Sequence, residues 1–236
     1  TQAEGSQRDP KDGLFKWAID EMKREVGTGK GAISVWLNTA LHRPDAMFRP
    51  EDVFFNRRYS GRGKWAVRRK EQVTEFGPAC NAVLDNDSSQ WLGDWLPKEL
   101  WTAEKCAEER RAGRKTLVYV KQTGTRDVQP RLKAALEAHG LRAGILKPTI
   151  KPENRATWMK RHADEFDCLI TNAKLVEVGL NLTMFNTAIF FEIEYSLYVV
   201  WQAMRRLYRP GAPKPVKLFF PVYTGTLSEA ALDLIG

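Results

Sequence analysis

Trp201-Gln202-Ala203-Met204-Arg205-Arg206-Leu207-Tyr208-Arg209-Pro210-Gly211 is the stretch whose reading decides the fold. Read as a helix, it brings Gln202, Arg206 and Arg209 to one side, because steps of three and four residues return to the same face. Pro210 and Gly211 punctuate its end. Apolar runs flank it, Thr187 to Ile193 before and Val216 to Val222 after. Three guanidiniums therefore sit on a helix between two expected buried strands. An arginine so placed can grip a phosphate through two parallel hydrogen bonds and cannot lose its charge. An amphipathic helix with a solvated basic face would carry the same residues, so the neighbouring sequence has to decide.

Working outward, strand-like and helix-like stretches alternate. Leu100 to Ala112 has the pattern of a helix stopped by Gly113, and Thr116 to Val120 is a short apolar strand. Val128 to His139 is a helix ended by Gly140, Ala143 to Leu146 a strand, Asn154 to Ala163 a helix and Asp167 to Thr171 a strand. Leu175 to Asn181 is a loop or short helix, and Ser228 to Leu234 starts a last helix. Such alternation predicts an α/β fold, a parallel sheet with helices on both faces and right-handed crossovers. Ligands of such sheets bind beyond the carboxyl ends of the strands. Lys121, Gln122, Thr123, Gly124 and Thr125 fall there, as do Thr171, Asn172 and Lys174, then Glu177, Gly179 and Asn181. Strand ends always meet polar loops, so these positions gain meaning only together.

Residues 1–95 read differently, as a partly helical accessory segment before a domain over 96–236. Apolar spacing predicts helices over Leu14 to Val26 and Ala32 to Leu41. Gly27-Thr28-Gly29-Lys30 between them departs from a phosphate loop, with Arg24 where that motif needs Gly and Gly31 where it needs Ser or Thr. A turn between helices accounts for it. Asn56 to Lys70 is a basic run holding Arg57, Arg58, Arg62, Lys64, Arg68 and Arg69 with Tyr59 and Trp65, expected as a loop loosened by Gly61 and Gly63. Cations with interleaved aromatics suit a nucleic-acid backbone and its bases; a solvated loop is the plainer account.

Composition bounds these readings. Hydrophobic residues make up 43% of the 236, enough for a proper core, and the formal charge of +8 suits a polyanionic partner. Cys80, Cys106 and Cys168 show neither metal-ligand spacing nor a disulfide framework, which fits a reducing cytoplasm. No apolar run approaches membrane-spanning length, so a membrane is not an expected partner.

The order of these stretches resembles the second RecA-like lobe of superfamily-two helicases and DNA translocases, nearest the chromatin-remodeller-type branch. Thr116 to Thr125 resembles the motif that opens that lobe. Leu169-Ile170-Thr171-Asn172-Ala173-Lys174, followed by Gly179-Leu180-Asn181-Leu182, resembles the next. Gln202 to Gly211 resembles the closing Gln-x-x-Gly-Arg-x-x-Arg helix, with Arg205 in place of the usual Gly and Ala212 where Gln often follows. The resemblance spans roughly Lys98 to Leu234. It implies Arg209 as the arginine finger on the γ-phosphate, Arg206 as its partner, and Gln202, Gly179 and Asn181 at the nucleotide. It places Gln122, Thr123, Thr171, Asn172 and Lys174 towards the nucleic-acid backbone. ATP and Mg2+ are implied for the full-length protein, with neither held tightly by this lobe alone. No phosphate loop and no acidic magnesium box are found, and those belong to the first lobe. The implied partners are that first lobe, from the same parent chain, and DNA or RNA. A second reading is a non-catalytic nucleic-acid or protein-binding module on a RecA-like fold. A third, a doubly wound enzyme for a small phosphorylated substrate, lacks any recognisable nucleophile or glycine-rich fingerprint.

Overall fold

The computed structural model describes residues 37–38, 41–46, 54–59, 67–72, 94–124, 126–176, 180–193, 197–208 and 215–235. The chain divides into two compact units, residues 1–94 with 223–229, and residues 95–222 with 230–236. In the first, Arg43–Ala46 forms a 3-10 turn and β1 (Phe54–Tyr59) pairs antiparallel with β2 (Val67–Gln72). The basic run expected as a loop is thus a two-stranded ribbon. Phe54, Phe55, Tyr59 and Val67 supply the aromatic and β-branched residues that strands favour, and the glycines fall between the strands. The helices expected over Leu14 to Val26 and most of Ala32 to Leu41 lie outside the described residues.

The second unit is built on α1 (Pro97–Arg111), β3 (Lys115–Val120), α2 (Gln129–Ala138), β4 (Ala143–Leu146), α3 (Pro152–His162), β5 (Cys168–Asn172) and the short α4 (Ala173–Val176). β6 (Phe185–Phe190), α5 (Leu197–Leu207), β7 (Lys217–Phe219) and α6 (Leu227–Ile235) complete the chain. Strand order is β4-β5-β3-β6-β7, all parallel, with β3 central. This is a RecA-like α/β fold. Alternation along β3 divides the core between two faces. Leu117 and Tyr119 join Leu169, Ala188 and Phe190 in a cluster closed by Val200, Ala203 and Leu207 of α5. Val118, Ile170 and Ile189 belong to the opposite face, where α1 and α2 contribute the buried Ala103, Leu132, Ala135 and Leu136. There Cys106 lies beside Cys168, both buried free thiols, and the neighbouring thiol together with burial pushes Cys106 well above the usual thiol range. Among the described residues no helix is long and apolar enough to cross a membrane.

The amino ends of the strands are tied together by a fully buried carboxylate. Glu109 of α1 accepts hydrogen bonds from Arg114, just before β3, from Thr187 Oγ1 of β6 at 2.5 Å and from Lys217 Nζ of β7 at 3.0 Å. Arg114 binds both carboxylate oxygens, the second through Nη2 at 2.8 Å. The Arg114 hydrogen bond, opposed by burial and aided by Thr187 and Lys217, lowers the Glu109 carboxyl to about 2. Asp167, before β5, makes the corresponding tie to Arg142, before β4, with Nη2 at 2.7 Å.

A carboxyl lowered on folding stabilises the fold above its unfolded pKa of 4.5 and loses that contribution as the pH falls towards about 2. Glu109→Gln should therefore lower stability at neutral pH by about 3 kcal/mol and flatten its fall between those pH values. Chemical denaturation of both proteins across that range checks this; parallel acid profiles would contradict it.

Candidate functional site

The parallel register sets the carboxyl ends of β3, β5 and β6 side by side, with Val120 opposite Asn172 and Tyr119 opposite Phe190. Chain leaving these ends has backbone donors and acceptors with no ladder to join, and side chains take them up. Glu192, just past β6 and 2% exposed, accepts the N–H groups of both Lys121 and Gln122 on Oε2, at 2.7 and 2.8 Å. The Phe191 N–H in turn donates to the Tyr119 carbonyl at 2.9 Å. Asn172 spans the other side of β3, its Nδ2 donating to the Lys121 carbonyl at 2.7 Å while its Oδ1 accepts the Lys174 N–H at 2.9 Å. The Lys98 ammonium sits 5.0 Å from the centre of the Phe191 ring.

α5 lies on the core face by virtue of its sequence. Val200, Ala203 and Leu207, at steps of three and four, are all buried, while Tyr198, Trp201, Arg205 and Tyr208 are exposed. Gln202 and Arg206 are half-buried between these stripes. Two contacts fix the helix. The buried Tyr119 hydroxyl donates to the Ala203 carbonyl at 3.5 Å, and the Leu182 N–H donates to the Arg206 carbonyl at 3.3 Å. Burial pushes the Tyr119 phenol far above its ordinary range, against the opposing pull of the Arg206 charge. The Gln202 Oε1 is buried without a hydrogen-bond partner among the described residues. In the loop before β6, Asn181 is exposed and its Oδ1 accepts the Thr183 N–H at 3.1 Å and its hydroxyl at 2.9 Å.

The structure therefore brings Gln122, Asn172 and Lys174 to one rim through direct hydrogen bonds, with Thr123 half-buried beside Gln122. Gln202 and Arg206 share α5. Thr171 is fully buried and its hydroxyl donates to the Asn172 carbonyl at 3.3 Å, so it supports the end of β5 from within. Arg57 and Arg58 lie on β1, Arg68 and Arg69 on β2. Arg209, Gly179, Arg62 and Lys64 lie outside the described residues. Sequence reasoning missed Glu192; its one local signal is a carboxylate ending the apolar run Phe190-Phe191. It also missed Tyr119, hidden inside a strand. Among the described residues no group of three or more His, Cys, Asp or Glu could hold a metal ion.

Comparison with known proteins bears on this rim. The model of the family described as the helicase conserved C-terminal domain matches residues 94–211. The TATA-binding protein-associated factor MOT1 of Saccharomyces cerevisiae is 33% identical over 91 residues, which are 38% of this chain and 5% of that protein. A crystal structure of the C-terminal part of the Fun30 ATPase domain has the same fold at a TM-score of 0.53 and 18% identity, over 64% of this chain and 50% of that one. The chain thus spans a small part of the first and half of the second.

Replacing Glu192 by Ala would take the acceptor from the two part-buried N–H groups of Lys121 and Gln122. The loss should be about 2–4 kcal/mol by urea denaturation, with Gln at this position costing less, because its amide oxygen still accepts. Amide exchange at Lys121 and Gln122 should accelerate with it. Unchanged exchange at both would show that the carboxylate does not hold this turn.

Proposed function

The chain belongs to the helicase conserved C-terminal domain family, and from that premise we propose that it is the second motor lobe of an ATP-dependent nucleic-acid helicase or translocase. The observation that carries the proposal is the setting of Arg206. Its helix is held at Ala203 by Tyr119 and at its own carbonyl by Leu182, beside the rim where the strand ends gather. Residues 96–236 form the lobe and residues 1–95 an accessory segment in this reading. ATP and Mg2+ are carried chiefly by a first lobe of the parent chain. This lobe alone is not an ATPase.

The roles follow from charge and reach. Arg209 acts as the arginine finger at the γ-phosphate and Arg206 supports it. Positive charge held at a transferring phosphoryl group stabilises the transition state without reorganising at the moment of reaction. Guanidinium suits this because it stays charged at every physiological pH. The buried, unbonded Oε1 of Gln202 fits a residue that gains its partner when the nucleotide is gripped. Asn181 and Gly179 complete the nucleotide side. Gln122, Thr123, Asn172 and Lys174 face the nucleic-acid backbone, with Thr171 beneath them, and the basic run of the first unit makes a nucleic-acid contact of its own. DNA is the favoured track. Closure of the lobes on ATP then shifts the grip on the backbone. The fold shared with the C-terminal part of the Fun30 ATPase domain supports the RecA-like lobe in this reading.

In the parent chain containing both lobes, Arg209→Ala should lower DNA-stimulated ATP turnover by about a hundredfold or more while leaving the fold intact. Steady-state turnover with saturating DNA measures it. Turnover at the wild-type rate would remove the finger role from Arg209 and the motor reading with it.

A further inference from the structure

The β1–β2 ribbon concentrates charge. Residues 54–72 contain seven of the chain's 37 Lys and Arg and only one of its 29 Asp and Glu, so they carry +6 of its formal +8. The register then sorts those charges. Phe54↔Gln72, Asn56↔Lys70 and Arg58↔Arg68 alternate with Phe55↔Glu71, Arg57↔Arg69 and Tyr59↔Val67. Alternate residues of a strand share a face, so the ribbon has two unlike sides. One carries Phe55, Tyr59 and Val67 with Arg57, Arg69 and the acidic Glu71. The other carries Arg58, Arg68 and Lys70 with the amides Asn56 and Gln72, one aromatic and no acid.

The same register sets like charges directly opposite at Arg57↔Arg69 and Arg58↔Arg68, which works against pairing. A two-stranded sheet is at best marginal by itself, and among the described residues this sheet has two strands. A dense line of negative charge against one face would relieve the repulsion there. Phosphodiester oxygens accept from guanidinium, ammonium and amide donors alike, so the composition of the acid-free face matches them.

We propose that the Asn56, Arg58, Arg68 and Lys70 face of the β1–β2 ribbon binds the phosphodiester backbone of nucleic acid, that binding stabilises the ribbon, and that Arg57 and Arg69 take no part in the contact. This rests on the nucleic-acid half of the reading above and divides its basic run into contacting and non-contacting residues. Each cation on a phosphate releases condensed counterions, so the contact has a salt signature.

The test compares the triple variant Arg58→Gln, Arg68→Gln, Lys70→Gln with the double variant Arg57→Gln, Arg69→Gln, each in the full chain. Binding of a short labelled duplex and of its single strand is followed by fluorescence anisotropy across a salt titration. The triple variant should bind about tenfold or more weakly and flatten the log–log salt slope by about 2.7 on duplex and about 2.1 on single strand. The double variant should stay within about threefold of wild type with its slope unchanged. Amide exchange across 54–59 and 67–72 should slow when duplex is added to wild type, and should still report a formed ribbon in the triple variant. Equal losses in both variants, or none in the triple variant, would overturn the proposal. So would heparin, a sulfated polysaccharide, binding as tightly with the same change of slope. A triple variant that binds DNA normally while Arg209→Ala loses turnover sinks the ribbon site and leaves the motor reading standing; the opposite pair of results does the reverse.

Discussion

Two N–H groups leave the central strand with no neighbouring strand to receive them, and the carboxylate of Glu192 takes both. That bond ties the carboxyl ends of two strands together. It fixes the turn after β3 against the turn after β6, and Asn172 fixes the same turn against β5. Three chain segments that are remote in sequence are thereby held as one rim. The bond is strong because the acceptor is charged and shielded from water, and the same shielding makes a missing acceptor expensive. Phe191 adds a second tie by bonding back to Tyr119, so the end of β6 bends over β3 instead of continuing outward. This is why the expected strand to Ile193 stops at Phe190.

Glu109 plays the mirrored part at the amino ends of the strands. A lone carboxylate buried there would cost several kcal/mol. It persists because Arg114, Thr187 and Lys217 meet both of its oxygens. The two acids differ in what they hold. Glu109 gathers side chains from β6, β7 and the turn before β3 and locks the sheet to α1. Glu192 gathers backbone, and the side chains of Gln122 and Lys174 nearby stay half-buried and exposed respectively. Rigidity is thus anchored at one end of the sheet and polar reach is kept at the other.

Much of this was legible in the chain itself. Apolar runs of strand length between helical periods foretold the α/β alternation, and the ordered motifs foretold the RecA-like lobe and its family. What stayed hidden depends on separation. Glu109 lies 78 residues from Thr187 and 108 from Lys217, so its helix reads only as a mixed-charge one. Cys106 and Cys168 look unrelated until α1 packs on β5. Glu192 resembles any polar residue after a strand, because its role needs the β3–β6 register. Thr171 shows the converse. Motif order set it at the ligand rim, yet strand alternation turns its hydroxyl inward. The β1–β2 ribbon was missed because consecutive arginines blur the period of two that marks a strand.

Arg205 tests how far the family pattern can be bent. A glycine is usual there, and a long side chain at a close backbone approach would push the helix away. The approach in this chain is made one turn's face away, at Ala203, which is 1% exposed and whose carbonyl receives Tyr119. Arg205 is exposed, its guanidinium 5.9 Å from the Trp201 ring centre one turn back. The helix therefore accepts the larger residue without losing its seat. It also gains a cation in its last turn beside Arg206, where the helix dipole favours positive charge. With no acid anywhere between Leu197 and Leu207, nothing on the helix itself offsets that charge. With its side chain exposed, Arg205 takes no place in the packed face of the helix and adds positive potential beside Gln202 and Arg206.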